Sequence, residues 1–160
     1  MGIRILLADS HPAFLTTLSR FLCNREDVEV VGQANTGPAA VELTRQLKPD
    51  IVLMDVDASV LSSMDAVRQI HREQPGVKII LWSIDPWPPR LRETVKAAAS
   101  GYLLKDCDPE TLLTAIRTVA QGGTYVSPES DCRSQDPQYS TWEKVNCGSA
   151  GIRPIWVSIR

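Results

Sequence analysis

The segment Asp50-Ile51-Val52-Leu53-Met54-Asp55 constrains the fold more than any other stretch of this chain. Four consecutive apolar residues closed by a carboxylate leave no polar face to turn toward water. A strand buried on both faces has that pattern, and such strands occur in parallel sheets covered by helices on both sides. An acid at the carboxyl end of such a strand lies where open α/β sheets form their ligand crevices. Asp55 is therefore the first candidate site residue.

The rest of the chain supplies the partners such a strand needs. Apolar runs at Ile3–Leu7, Val28–Val31, Ile51–Met54, Val77–Trp82 and Tyr102–Leu104 alternate with segments of helical period. Phe14, Leu18, Phe21 and Leu22 share one helix face; Ala40, Leu43 and Leu47 share a second. Met64, Val67 and Ile70 mark a third helix, Leu91, Val95 and Ala98 a fourth, and Leu112, Ile116 and Val119 a fifth. His11-Pro12 reads as a helix start, Thr36-Gly37-Pro38 opens the second helix, and Asp108-Pro109-Glu110 opens the fifth with Asp108 as N-cap. Gly122-Gly123 stops that last helix. Strands separated by helices over units of about 25 residues imply right-handed βαβ crossovers. The expected fold is α/β, a flavodoxin-like (βα)5 doubly wound parallel sheet with strand order 2-1-3-4-5.

Size and composition limit what surrounds this sheet. The 160 residues hold one domain with a substantial core and a short extension. A net charge of −2 provides no global attraction to nucleic acid or to an anionic membrane. No apolar stretch approaches the roughly 20 residues of a membrane helix, so a cytoplasmic location with no membrane partner is expected. Cys23, Cys107, Cys132 and Cys147 are far apart, which suits free thiols better than a zinc site or disulfides. Beyond Ser127 the chain turns rich in Ser, Asp, Gln and Pro without period. Residues 1–128 are expected to form the domain, and 129–160 a linker or divergent tail with no recognisable domain.

The residues that close successive strands form a chemical set. Asp9 follows the first strand, Asp55 the third, Ser83 the fourth and Lys105 the fifth. One carboxylate can attack phosphorus and become an acyl phosphate, and a second can help hold Mg²⁺. A hydroxyl and an ammonium can bind the phosphoryl oxygens as charge develops.

With these stretches in hand, the chain resembles the receiver domain of bacterial two-component response regulators, of the NarL/FixJ type. The matching residues are Ile3-Arg4-Ile5-Leu6-Leu7-Ala8-Asp9 with His11-Pro12, Pro49 to Asp55, Ser83, Ala99-Ser100-Gly101-Tyr102-Leu103-Leu104-Lys105-Asp106, and Gly122 to Pro128. The resemblance implies that Asp55 is the phosphoacceptor, Ser83 a switch hydroxyl and Lys105 the phosphate-binding lysine. It implies Mg²⁺ held by Asp9, Asp55 and the backbone carbonyl of Asp57, with Tyr102 as the switch aromatic. It also implies a sensor histidine kinase as partner. The output face would comprise the fourth helix, fifth strand and fifth helix, about residues 91–121. A homodimer would form through that face or through the tail.

Departures from the family pattern open alternatives. Ser10 stands where a second acid is usual, and Ala58-Ser59 and Ser63 replace the usual Met-Pro and later Gly. Loss of a carboxylate weakens Mg²⁺ affinity and relieves repulsion among the acids. A phosphorylation-independent pseudo-receiver, serving as a protein-interaction module, is the main alternative. Asp55-Val56-Asp57-Ala58-Ser59 also resembles the DxDx(T/S) signature of haloacid-dehalogenase-type phosphohydrolases, which carry it after their first strand. Regulators of the NarL/FixJ type continue into a LuxR-type helix-turn-helix domain. No such pattern is recognisable here, so no direct DNA binding by this chain is expected.

Overall fold

The inner apolar runs become strands because both their faces are covered, while the edge run Val28–Ala34 keeps Glu29 and Gln33 exposed. The computed structural model describes residues 2–56, 60–84 and 98–126, the side chains of 60–62 excepted. The strands are β1 (Ile3–Ala8), β2 (Val28–Ala34), β3 (Ile51–Asp55), β4 (Lys78–Ser83), β5 (Gly101–Leu104) and β6 (Tyr125–Val126). They form one sheet of order β2-β1-β3-β4-β5-β6, with every pairing parallel. The helices are α1 (Pro12–Cys23), α2 (Gly37–Leu47), α3 (Val60–Glu73) and α4 (Pro109–Ala120). The helix expected at about 91–98, and with it part of the expected output face, lies outside the described residues apart from Ala98. The same is true of the tail from Ser127 onward.

Side-chain alternation along the strands divides the interior into two cores. Ile5, Leu7, Leu53, Ile80, Trp82 and Leu103 point to one face, where Leu15 and Leu18 of α1 and Leu112 and Ile116 of α4 cover them. Leu6, Val52, Met54, Leu81 and Leu104 point to the other, packed on Val41 of α2 and Met64, Val67 and Ile70 of α3. The central strand β3 is buried along its whole length, as its lack of polar residues before Asp55 requires. At the surface, Arg45 clips α2 to α3 through a two-pronged pair with Glu73, at 2.7 and 2.8 Å. Arg45 holds the Glu73 carboxyl down at about 2, but an exposed pair of this kind contributes little to stability.

Two features extend the sequence pattern. β2 runs past Val31 to Ala34 because β1 skips a residue against it: Ile5 pairs with Val30, but Leu6 pairs with Gly32. The bulge leaves Val31 without a partner residue on β1 and brings Gly32 under Leu47, where a Cβ would come within 2.6 Å of a Leu47 methyl. The sixth strand was not expected. It forms because Gly122, at φ +88, turns the chain after α4 and brings Tyr125 beside Gly101.

The helix starts follow the sequence. Thr36 caps α2 by accepting the Ala39 N–H at 3.2 Å, and Asp108 caps α4 by accepting the Thr111 N–H at 2.9 Å. Asp108→Ala should lower the unfolding free energy by about 1 kcal/mol, the usual cost of a lost N-cap. Urea denaturation would measure it, and an unchanged midpoint would contradict the assignment of the cap.

Candidate functional site

Four neighbouring parallel strands end at one edge, and their register sets what meets there. Ala8 pairs with Met54, so Asp9 and Asp55 emerge level; Asp55 pairs with Trp82, and Ser83 with Leu104, one residue before Lys105. The backbone ladder continues past the strand ends: Val56 N–H donates to the Trp82 carbonyl at 3.1 Å and Lys105 N–H to the Ser83 carbonyl at 2.7 Å. All four polar residues that the sequence singled out at these ends are buried, between 4 and 7% exposed.

Alternation then sorts them by face. Asp9, Asp55 and Lys105 continue the series Ile5-Leu7, Ile51-Leu53 and Leu103 on the α1 side. Ser83 and Tyr102 continue the opposite series, with Leu81 and Leu104. Tyr102 is 4% exposed, pairs with Leu81 and packs in the second core. Asp57 lies outside the described residues.

Lys105 joins the two acids. Its Nζ lies 2.9 Å from Asp9 Oδ2 and 2.9 Å from Asp55 Oδ1. Strands lie about 4.8 Å apart, so a cation rooted on β5 must cross β4 to reach β3 and β1, which only a long side chain can do. The ammonium also lies 4.9 Å from the Phe14 ring centroid and 5.6 Å from that of Trp82, and the two rings pack 4.7 Å apart. Burial, the largest influence on Lys105, favours its neutral form. The negative charges of Asp55 and Asp9 and their hydrogen bonds outweigh it and hold the ammonium above its ordinary 10.5.

Asp9 divides its two oxygens. Oδ2 faces Lys105, while Oδ1 accepts the His11 N–H at 2.8 Å and lies 3.0 Å from His11 Nδ1. The contact two residues onward is an Asx-turn that shapes the entry to α1. His11 is the N-cap residue by position but its side chain caps nothing. The Ser10 side chain is exposed, its Oγ 3.4 Å from His11 Nδ1. Asp9, His11 and Asp55 each offer a ligand atom within 4.8 Å of the others. Two buried carboxylates and an imidazole at that spacing fit a divalent cation. Sequence reading placed Asp9, Asp55, Ser83 and Lys105 here; it took His11 chiefly for a helix start, and Phe14 and Trp82 for packing.

The chain has counterparts among known proteins. The response regulator receiver domain family matches residues 5–117. The chain belongs to that family. Over 130 residues this receiver is 38% identical to Response regulator GacA of Pseudomonas aeruginosa, covering 79% of this chain and 59% of that protein. It is 31% identical over 123 residues to the nitrate/nitrite response regulator protein NarL of Escherichia coli, covering 77% and 57%. A solved structure, the LuxR-family two-component response regulator from Aurantimonas sp. SI85-9A1, aligns with a TM-score of 0.76 at 29% identity, covering 82% of this chain and 94% of that one. The chain thus spans under two thirds of the length of these curated relatives. The expected fold and family both hold, with β6 added to the expected strand order.

Proposed function

We propose that this receiver takes a phosphoryl group from a phosphohistidine of a sensor histidine kinase onto Asp55. The observation that supports this reading is the buried Asp9–Lys105–Asp55 arrangement at the strand ends. A carboxylate oxygen of Asp55 attacks phosphorus, the P–N bond breaks, and the histidine nitrogen leaves with the electron pair, giving an acyl phosphate on Asp55. Lys105 then turns its ammonium from the carboxylate to a phosphoryl oxygen, and the Ser83 hydroxyl binds another. Asp9, Asp55 and the Asp57 carbonyl would hold Mg²⁺, which neutralises charge on the phosphoryl oxygens when bound. The chain acts as a switch and not as a turnover enzyme.

The added charge of about −1.5 to −2 reorganises the Ser83–Tyr102 side of the sheet and through it the surface of about 91–121. Residues 1–128 are the receiver and 129–160 an appended tail. The location is cytoplasmic; no helix among the described residues is long and apolar enough to cross a membrane. A homodimer through the output surface or the tail is the proposed assembly, with no DNA contact by this chain. Asp55 ends β3 and not β1, which separates the site from the phosphohydrolase pattern that places its motif after the first strand.

Beryllofluoride with Mg²⁺ tests the reading in solution. Saturating shifts are expected in the amide NMR signals of Val56, Ser83, Tyr102 and Lys105, and they should vanish in Asp55→Ala. Spectra that do not respond would sink the phosphoacceptor reading. They would favour the pseudo-receiver, which the exposed Ser10 at the second acid's place already motivates.

A further inference from the structure

Ser10 is exposed and adds no charge to this site. Among the described residues, Asp9 and Asp55 carry two negative charges, and Lys105, 2.9 Å from each, cancels one. A hard cation such as Mg²⁺ binds through ligand charge and gains little from so small a net charge. Coordination by a neutral nitrogen adds binding without adding charge, and only borderline cations draw much from it. His11 presents such a nitrogen. Its Nδ1 lies 3.0 Å from Asp9 Oδ1, which matches the edge of about 3.0 Å between adjacent ligands of an octahedral cation with bonds of about 2.1 Å. The ring is 55% exposed, so it can turn without disturbing the core.

We propose that His11 is a metal ligand in this receiver and that the Asp9–His11–Asp55 site selects a borderline divalent transition ion, of the Co²⁺, Ni²⁺ or Zn²⁺ class, over Mg²⁺. The inference rests on the reading of Asp9 and Asp55 as a cation site. A cation on the Asp9 Oδ1–His11 Nδ1 edge replaces their hydrogen bond, and the ring proton then resides on Nε2. Asp55 supplies the third protein ligand, and water completes the shell.

The test is calorimetric titration of Co²⁺ and of Mg²⁺ into the whole chain and its His11→Ala and Ser10→Asp variants, with the visible spectrum of bound Co²⁺ recorded alongside. His11→Ala keeps the backbone N–H that bonds Asp9. It should lower the ratio of Co²⁺ to Mg²⁺ affinity about tenfold or more, since even a partner that only orients a ligand contributes on that scale, and shift the Co²⁺ bands. Ser10→Asp should raise Mg²⁺ affinity and shrink the ratio. An unchanged ratio and spectrum in His11→Ala would overturn the proposal, as would Co²⁺ held with thiolate charge-transfer bands that survive it. Phosphorylation of the unaltered chain is scored separately, with saturating Mg²⁺ and again with Co²⁺. Failure with both cations removes the phosphoacceptor reading while a His11-dependent ratio still supports the metal ligand.

Discussion

Lys105→Met should destabilise the fold by about 3 kcal/mol at pH 7 when divalent cations are chelated. The ligand oxygens of Asp9 and Asp55 lie within 4.8 Å of one another, which at an effective dielectric near 20 corresponds to a repulsion of about 3.5 kcal/mol. In the native chain Lys105 meets both at 2.9 Å, and its attraction exceeds its own desolvation because its proton is held above the ordinary 10.5. Methionine keeps the volume but leaves two buried charges uncompensated, a class of change that costs roughly 3–5 kcal/mol. The pH dependence follows from the sign of the shift. A cation with a raised folded value stabilises fully below 10.5 and loses that contribution as pH rises through the folded value. The gap between native and variant should therefore be flat near neutrality and close in strong alkali. It should also shrink on adding a divalent cation. Urea denaturation across pH, with and without chelator, would show this; equal stability at pH 7 would mean that the three groups do not interact as described.

Trp82→Ala should cost about 3–5 kcal/mol, the range for truncating a large buried aromatic. Trp82 is 1% exposed, sits in the α1-side core and packs against a tilted Phe14 ring, the centroids 4.7 Å apart. Its ring also faces the Lys105 ammonium at 5.6 Å, so the variant loosens the cation as well as the core. Trp82→Phe, which retains an aromatic face, should recover most of the loss. A Trp82→Ala variant with near-native stability would show that this ring is not a structural wall of the pocket.

The residues legible in the sequence are those whose position depends only on strand identity. Asp9, Asp55, Ser83 and Lys105 each follow an apolar run, and parallel strands must end at the same edge, so their convergence follows from the topology. What the sequence does not display is the face each takes. β4 ends at Ser83, one residue beyond the run Val77–Trp82, and that residue decides that Ser83 lies with Tyr102 while Trp82 lies with Lys105. Phe14 was missed as a site residue because it reaches the pocket only when α1 packs over the strand ends, a long-range contact with no local periodicity, whereas His11 meets Asp9 through a turn two residues on, a backbone geometry that no apolar period displays. β6 escaped notice for another reason: two residues, Tyr125 and Val126, are too few for an alternation to register. The bulge at Val31 and Gly32 likewise depends on the register of β1 against β2, which neither strand carries alone.

The claim that Asp55 accepts a phosphoryl group is tested most directly by intact-protein mass spectrometry after incubation with acetyl phosphate and either saturating Mg²⁺ or Co²⁺. A mass gain of one phosphoryl group is expected in the native chain, lost when the metal is chelated and absent in Asp55→Asn. A native chain that gains nothing, or an Asp55→Asn variant that gains as much, would contradict it.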